Sequence, residues 1–127
     1  MARAAWEPDG KVMARVRKIC AGLEGAEEKT AWGHPVWRAG GRQFAAYERN
    51  QGQDCLAFLV ELEMLGALLE AGPRFRDAGF SRGDSGWVFL QLSPDTDWAE
   101  VRDLFRRSHA FACSKKPARP RPRRLLT

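Results

Sequence analysis

Residues 30–46 read T-A-W-G-H-P-V-W-R-A-G-G-R-Q-F-A-A, and the fold class turns on how this stretch is read. Gly40-Gly41 separates Val36-Trp37-Arg38-Ala39 from Arg42-Gln43-Phe44-Ala45-Ala46-Tyr47. A glycine pair takes the positive φ angles of a tight turn at little steric cost, so the spacing predicts strand, turn, strand. Alternation puts Val36 and Arg38 on one face of the first arm and Trp37 and Ala39 on the other. On the second arm it sets Phe44 and Ala46 against Ala45 and Tyr47. Gly33-His34-Pro35 is predicted to be a bend or bulge, because Pro35 has no amide donor and biases His34 toward extended geometry.

Upstream, Asp9 is suited to cap a helix carrying Val12, Val16, Ile19, Cys20 and Leu23 on one stripe, with Gly22 and Gly25 marking its end. Residues 27–32 read as a polar strand leading into the hairpin. Downstream, a polar turn at Gly52 precedes the apolar run Cys55–Val60, a central strand. Leu62, Leu65, Leu68 and Leu69 then return at helical period until Gly72-Pro73. Residues 74–86, R-F-R-D-A-G-F-S-R-G-D-S-G, are expected to form a looped excursion that carries Phe75 and Phe80 inward. Trp87–Leu92 is a further strand. Asp97 or Thr96 caps a last helix that buries Val101, Leu104, Phe105, Ser108 and Ala112, and Pro117 stops it. Helix, strands, helix, strand, helix makes an α+β fold, an antiparallel sheet with helices on one face.

A chain of 127 residues with 44% hydrophobic content is expected to form one domain, residues 1–114, with an ordinary core. No apolar run is long enough to span a bilayer and the N-terminus has no signal-like stretch, so a cytoplasmic location and no membrane partner are expected. Cys20, Cys55 and Cys113 are odd in number, widely spaced and without a C-x-x-C pair. Free, buried thiols are therefore expected, and no metal site. The net charge of +5 is misleading until it is located. Lys115, Lys116, Arg119, Arg121, Arg123 and Arg124 lie in residues 115–127, a Pro/Arg-rich segment without acids that reads as a disordered tail. That leaves 15 basic against 16 acidic residues in residues 1–114, a net of −1. No Walker A, G-x-S-x-G, H-E-x-x-H or G-x-G-x-x-G motif occurs, so neither an enzyme nor a cofactor is indicated.

The body resembles the MmcQ/YjbR family. The resemblance rests on K-I-C-A-G-L-E-G-A-E-E, on T-A-W-G-H-P-V-W-R-A-G-G-R-Q-F-A, on the segment from Pro73 to Phe80, and on G-W-V-F-L-Q-L with D-W-A-E-V-R-D-L-F-R-R-S-H. It departs where Leu23-Glu24-Gly25 ends the first helix without a proline, and in the tail. The resemblance implies a double-wing, CyaY-like fold and a small, non-enzymatic, DNA-binding protein. If two loops are the wings, Arg38, Arg42 and Arg49 on the hairpin and Arg74, Arg76 and Arg82 on the later loop are the phosphate contacts, joined by the six tail cations.

A second reading is a protein- or small-ligand-binding module with a pocket at the aromatic hairpin, lined by Trp32, His34 and Trp37. Each residue also has a plainer role. His34 is more simply a hydrogen-bonded turn residue, since spacing fixes no catalytic partner for it. His109 suits the end of a helix. Trp32, Trp37 and Trp87 read more simply as core, and of the three Trp37, beside Arg38, is the candidate for stacking on a base. The oligomeric state is left open. The charge distribution makes one sharp prediction. Deleting 115–127 removes most non-specific duplex affinity and most of a log–log salt slope near −5, at roughly −0.9 per phosphate contact. Titrating labelled duplex at two salt concentrations checks it, and undiminished binding after truncation refutes it.

Overall fold

The computed structural model describes residues 6–114, so everything expected of residues 115–127 lies outside the described residues. The order is α1 (Gly10–Cys20), β1 (Glu27–Ala31), β2 (His34–Ala39), β3 (Arg42–Asn50), β4 (Gln53–Glu61), α2 (Leu62–Ala71), β5 (Phe75–Arg82), β6 (Ser85–Gln91) and α3 (Trp98–Ser114). The six strands form one antiparallel sheet in the order β1-β2-β3-β4-β6-β5. The α+β class read from the sequence is the class observed.

Three of the connections are two-residue turns in which both residues have positive φ: Trp32-Gly33, Gly40-Gly41 and Gln51-Gly52. Such turns match the right-handed twist of the strands they join. The first corrects the expected bend. The chain reverses at Trp32-Gly33, with Ala31 opposite His34, and His34 and Pro35 already belong to β2. The second correction concerns residues 74–86, which form the β5–β6 hairpin rather than a looped excursion. Phe75 points inward at 3% exposure, but Phe80 is 69% exposed.

The sheet buries its two faces differently. On the helix side, Phe105 of α3 is the hub. The rings of Trp37, Phe44 and Phe58 meet it nearly edge-on, with centroids 6.0, 6.3 and 5.0 Å away. Edge-to-face pairs of this kind add to the energy of area burial. A bulge between Trp37 and Arg38 makes the arrangement possible. Trp37 pairs with Ala45 and Arg38 with Gln43, which leaves Phe44 as an extra residue. Phe44, Ala45 and Tyr47 therefore all join the helix-side core, and Ala46 between them faces the other way. The strict alternation expected on this arm is broken at Phe44.

The caps follow the sequence. Asp9 Oδ1 accepts from the Lys11 and Val12 amides at 2.8 and 3.0 Å, and Asp97 Oδ1 from Ala99 and Glu100 at 3.0 and 3.3 Å. Tyr47 ties α1 to the sheet, its hydroxyl accepting from the Asp9 amide at 3.1 Å and donating to Asp54 at 2.9 Å. Burial is the largest of the influences that push this hydroxyl's pKa up to about 12. On α2 only Leu65 and Leu68 are buried, while Leu62 and Leu69 stay partly exposed, so the apolar stripe there is narrower than its spacing suggested.

Phe105→Ala should lower the unfolding free energy by about 3–5 kcal/mol, because three aromatic contacts end on one ring. Phe80→Ala should stay within about 0.5 kcal/mol. Urea denaturation of both variants checks the contrast, and a small loss for Phe105→Ala would remove this ring from the centre of the core.

Candidate functional site

With all three helices packed on one side, the opposite face of the sheet carries a second, smaller apolar cluster. Val36, Ala46, Ala57 and Phe89 lie in register across β2, β3, β4 and β6. Two adjacent alanines in the middle of this row leave a hollow between larger neighbours. The result is a concave cavity of about 560 Å³, within the range of small-molecule sites. Ala46, Ala57, Trp87 and Phe89 supply apolar surface, and His34, Gln43 and Glu48 supply the polar groups. His34 Nε2 lies 3.7 Å from Glu48 Oε2, which attracts the ring once it is protonated. Among the described residues, no Lys or Arg lines this cavity.

Two exposed aromatics border it from opposite edges of the sheet. Trp32, from the β1–β2 turn, is 94% exposed, and Phe80 comes from β5. Both are held out by backbone irregularities. Trp32 adopts φ 57°, a left-handed conformation that costs a bulky residue of order 1 kcal/mol or more. Phe80 lies where the β5–β6 register shifts between Asp77 and Ser81, a kink shaped by Gly79 at φ 86° and by its amide donating to Asp77 Oδ1 at 2.7 Å. An adjoining groove of about 500 Å³ shares Gln43, Phe80 and Trp87 with the cavity and adds Arg42 and Arg82.

Trp32 was expected in the core and stands in solvent. Trp37, expected to stack on a base or to wall the pocket, is 1% exposed on the helix side and reaches neither. Trp87 is half-buried on the open face. The six candidate arginines of the hairpin and the later segment are not brought together as one stripe. Arg38, Arg42 and Arg82 lie toward the Gly40-Gly41 end of the sheet, and Arg49, Arg74 and Arg76 toward the Gln51-Gly52 end. Arg38 donates to the Gly41 carbonyl at 3.0 Å, and Arg49 to the Gly52 carbonyl at 3.1 Å. Arg74 grips Glu100 with two bonds of 3.1 and 2.7 Å. Arg76 donates to Asn50 and Gln51 at 2.9 and 3.3 Å and stacks over Phe89.

A family model described as YjbR matches residues 21–111. The chain belongs to the YjbR family. Among solved structures it is similar to a Deinococcus radiodurans protein described by its DUF419 domain, with 21% identity, a TM-score of 0.68, and coverage of 81% of this chain and 79% of that one. It is also similar to a Pseudomonas syringae protein at 15% identity and a TM-score of 0.60, covering 78% of this chain and 97% of that one. At these identities the likeness speaks for the fold alone. No curated protein matches the chain. Among the described residues, no helix of this YjbR chain is long and apolar enough to cross a membrane, and no cluster of His, Cys, Asp and Glu could hold a metal ion.

Trp32 was expected at the pocket and lines it, but its exposure and that of Phe80 were missed in the sequence, although one signal was available. Trp32-Gly33 has the same X-Gly form as Gln51-Gly52, which reads readily as a turn. The thiols of this YjbR chain also divide. All three are free, but Cys113 is exposed, against the expectation that each would be buried. Burial, and then the charge of Glu28, push Cys20 up to about 12; burial, and then Glu48, do the same for Cys55. Raised thiol values mean stability lost as pH rises above the unfolded thiol range, since only the unfolded chain then ionises. In the native protein at pH 8, one thiol should react quickly with a disulfide reagent, and three in denaturant. Native reaction of Cys20 or Cys55 at the rate of Cys113 would contradict their burial.

Proposed function

We propose that this protein is a binding module, not an enzyme, whose open sheet face takes a planar, largely apolar group between Trp32 and Phe80. One observation carries the reading: two large aromatics stand in solvent on opposite edges of an apolar hollow, one of them at an unfavourable φ. Solvent-exposed aromatics beside a cavity are a cost to the free protein, and an unfavourable backbone angle adds to it. With Glu48 in the wall and no Lys or Arg there among the described residues, the cavity itself favours an uncharged or cationic ligand over an anionic one.

A second reading has its own support. Arg42 and Arg82 line the groove next to the cavity, so a nucleic-acid base held by the aromatics would have its phosphate within their neighbourhood. This is single-strand recognition. Duplex binding through the loop arginines, the leading expectation from sequence, has weaker support. Arg74 is paired with Glu100, and Arg38, Arg49 and Arg76 donate to oxygens of their own chain.

The test follows the indole N–H resonance of Trp32 while labelled protein is titrated with adenosine, with indole and with an oligodeoxythymidine strand. At least one probe should shift that resonance. Trp32→Asn and Phe80→Ala should each weaken binding about tenfold, on the scale of one stacked base at 1–3 kcal/mol. Trp32→Asn should leave thermal stability unchanged or raise it, because Asn tolerates the turn angle better than Trp does. Ala57→Leu should fill the hollow and abolish binding. The reading is lost if the Trp32 resonance ignores all three probes, or if both aromatic variants bind as well as the parent.

A further inference from the structure

A second concave surface lies on the far side of the molecule, between α1 and α3. The two helices run side by side in the same direction. The Arg15 guanidinium, midway along α1, sits 5.1 Å from the centroid of Trp98 at the start of α3, and His109 Nε2, farther along α3, lies 2.7 Å from the carbonyl oxygen of Glu24, just beyond the end of α1. The groove between them measures about 400 Å³. Arg15 and Lys18 form one wall and Arg102 and Arg106 the other, with Trp98 toward one end and Leu23 toward the other. Among the described residues, no carboxylate lines it.

This arrangement departs from how the chain treats comparable arginines. Arg17, one residue from Lys18 in sequence, is held by both oxygens of Glu28 at 2.8 Å, and Arg74 by both oxygens of Glu100. The four groove cations instead face one another across a cleft. The net charge of −1 for residues 1–114 conceals this. Helices α1 and α3 together hold seven basic and two acidic residues, a net of +5. The rest of residues 1–114 holds eight basic and fourteen acidic, a net of −6. Like charges converging on a concave surface raise the local concentration of anions and oppose compaction until one binds.

We propose that the α1–α3 groove is a binding site for a compact polyanion, a small ligand carrying two or more phosphoryl groups. Three of its four cations are arginines, whose planar forks suit phosphoryl oxygens in pairs. Spacing argues for a compact ligand. Arg15 and Lys18 are separated by about 4.5 Å of helix rise and Arg102 and Arg106 by about 6 Å, so each wall offers its charges within roughly one turn. A nucleic-acid backbone calls for a longer track of cations than that. The positive potential comes from side chains, because the first amides of α3 are already capped by Asp97.

Calorimetric titration of the full chain with sodium tripolyphosphate at low ionic strength tests the assignment. A full-length variant with the six tail cations replaced by Gln removes the competing polycation. That variant should still bind with one-to-one stoichiometry. On that background, Arg102→Gln with Arg106→Gln should weaken binding at least about tenfold, the scale of one lost charge-assisted bond. Far-UV spectrum should not change and Tm should not fall, and Lys11→Gln with Lys29→Gln, two exposed cations outside the groove, should bind normally. Arg15→Gln with Lys18→Gln attacks the opposite wall and serves if the first pair disturbs folding. Loss of saturable binding in the tail variant overturns the proposal, as does binding indifferent to both wall pairs. Duplex DNA that binds more tightly than tripolyphosphate at equal phosphate, and is lost in the wall variants, would reassign the groove to nucleic acid.

Discussion

One ring organises this structure. Phe105 receives the edges of aromatics from three consecutive strands, Trp37, Phe44 and Phe58. A regular antiparallel pair cannot turn neighbouring positions of one strand to the same side, because its side chains alternate. The extra residue in β3 solves this by bringing Phe44 and Ala45 to the helix side together. Once α3 is seated on that ring, all helical packing lies on one face. The other face is left to find its own cover, and small side chains at its centre make it hollow rather than flat.

Much of the fold was legible because its signals were local. The Asp9 and Asp97 caps, the glycine pair at 40–41, the apolar run of β4 and the buried stripe of α3 each follow from a few adjacent residues. What escaped depended on distant ones. Nothing between Arg42 and Tyr47 announces a bulge, since Phe44 joins the helix side only because Phe105 waits there. β5 escaped because it is an edge strand with little to bury. Past Phe75 its residues are half-buried or exposed, so the alternation that identifies a strand is absent. The candidate site was legible only in part. Trp32 and His34 do meet on one cavity, but hydrophobicity argued for burying Trp32 and Phe80, and neither is buried.

Net charge was the least informative number of all. An almost neutral body divides into a basic helical pair and an acidic remainder, and the two concave surfaces inherit that division. The sheet-side cavity holds Glu48 and aromatics; the helix-side groove holds four cations. Such surfaces discriminate ligands by sign before shape matters. The fold common to YjbR proteins does not dictate this partition, which depends on residues such as Arg15, Lys18, Arg102 and Arg106 that carry none of the core.

The kink between Asp77 and Ser81 has a second effect besides lifting Phe80. β5 is one edge of the sheet, and an edge strand presents a row of amide and carbonyl groups onto which a neighbouring molecule can add a strand. The register shift interrupts that row. At the opposite edge, β1 carries Glu27, Glu28 and Lys29, charged and exposed, where a regular strand would otherwise be offered. Both borders are thereby poor templates for strand addition. An open, partly apolar sheet can keep one face uncovered without stacking edge to edge into fibres.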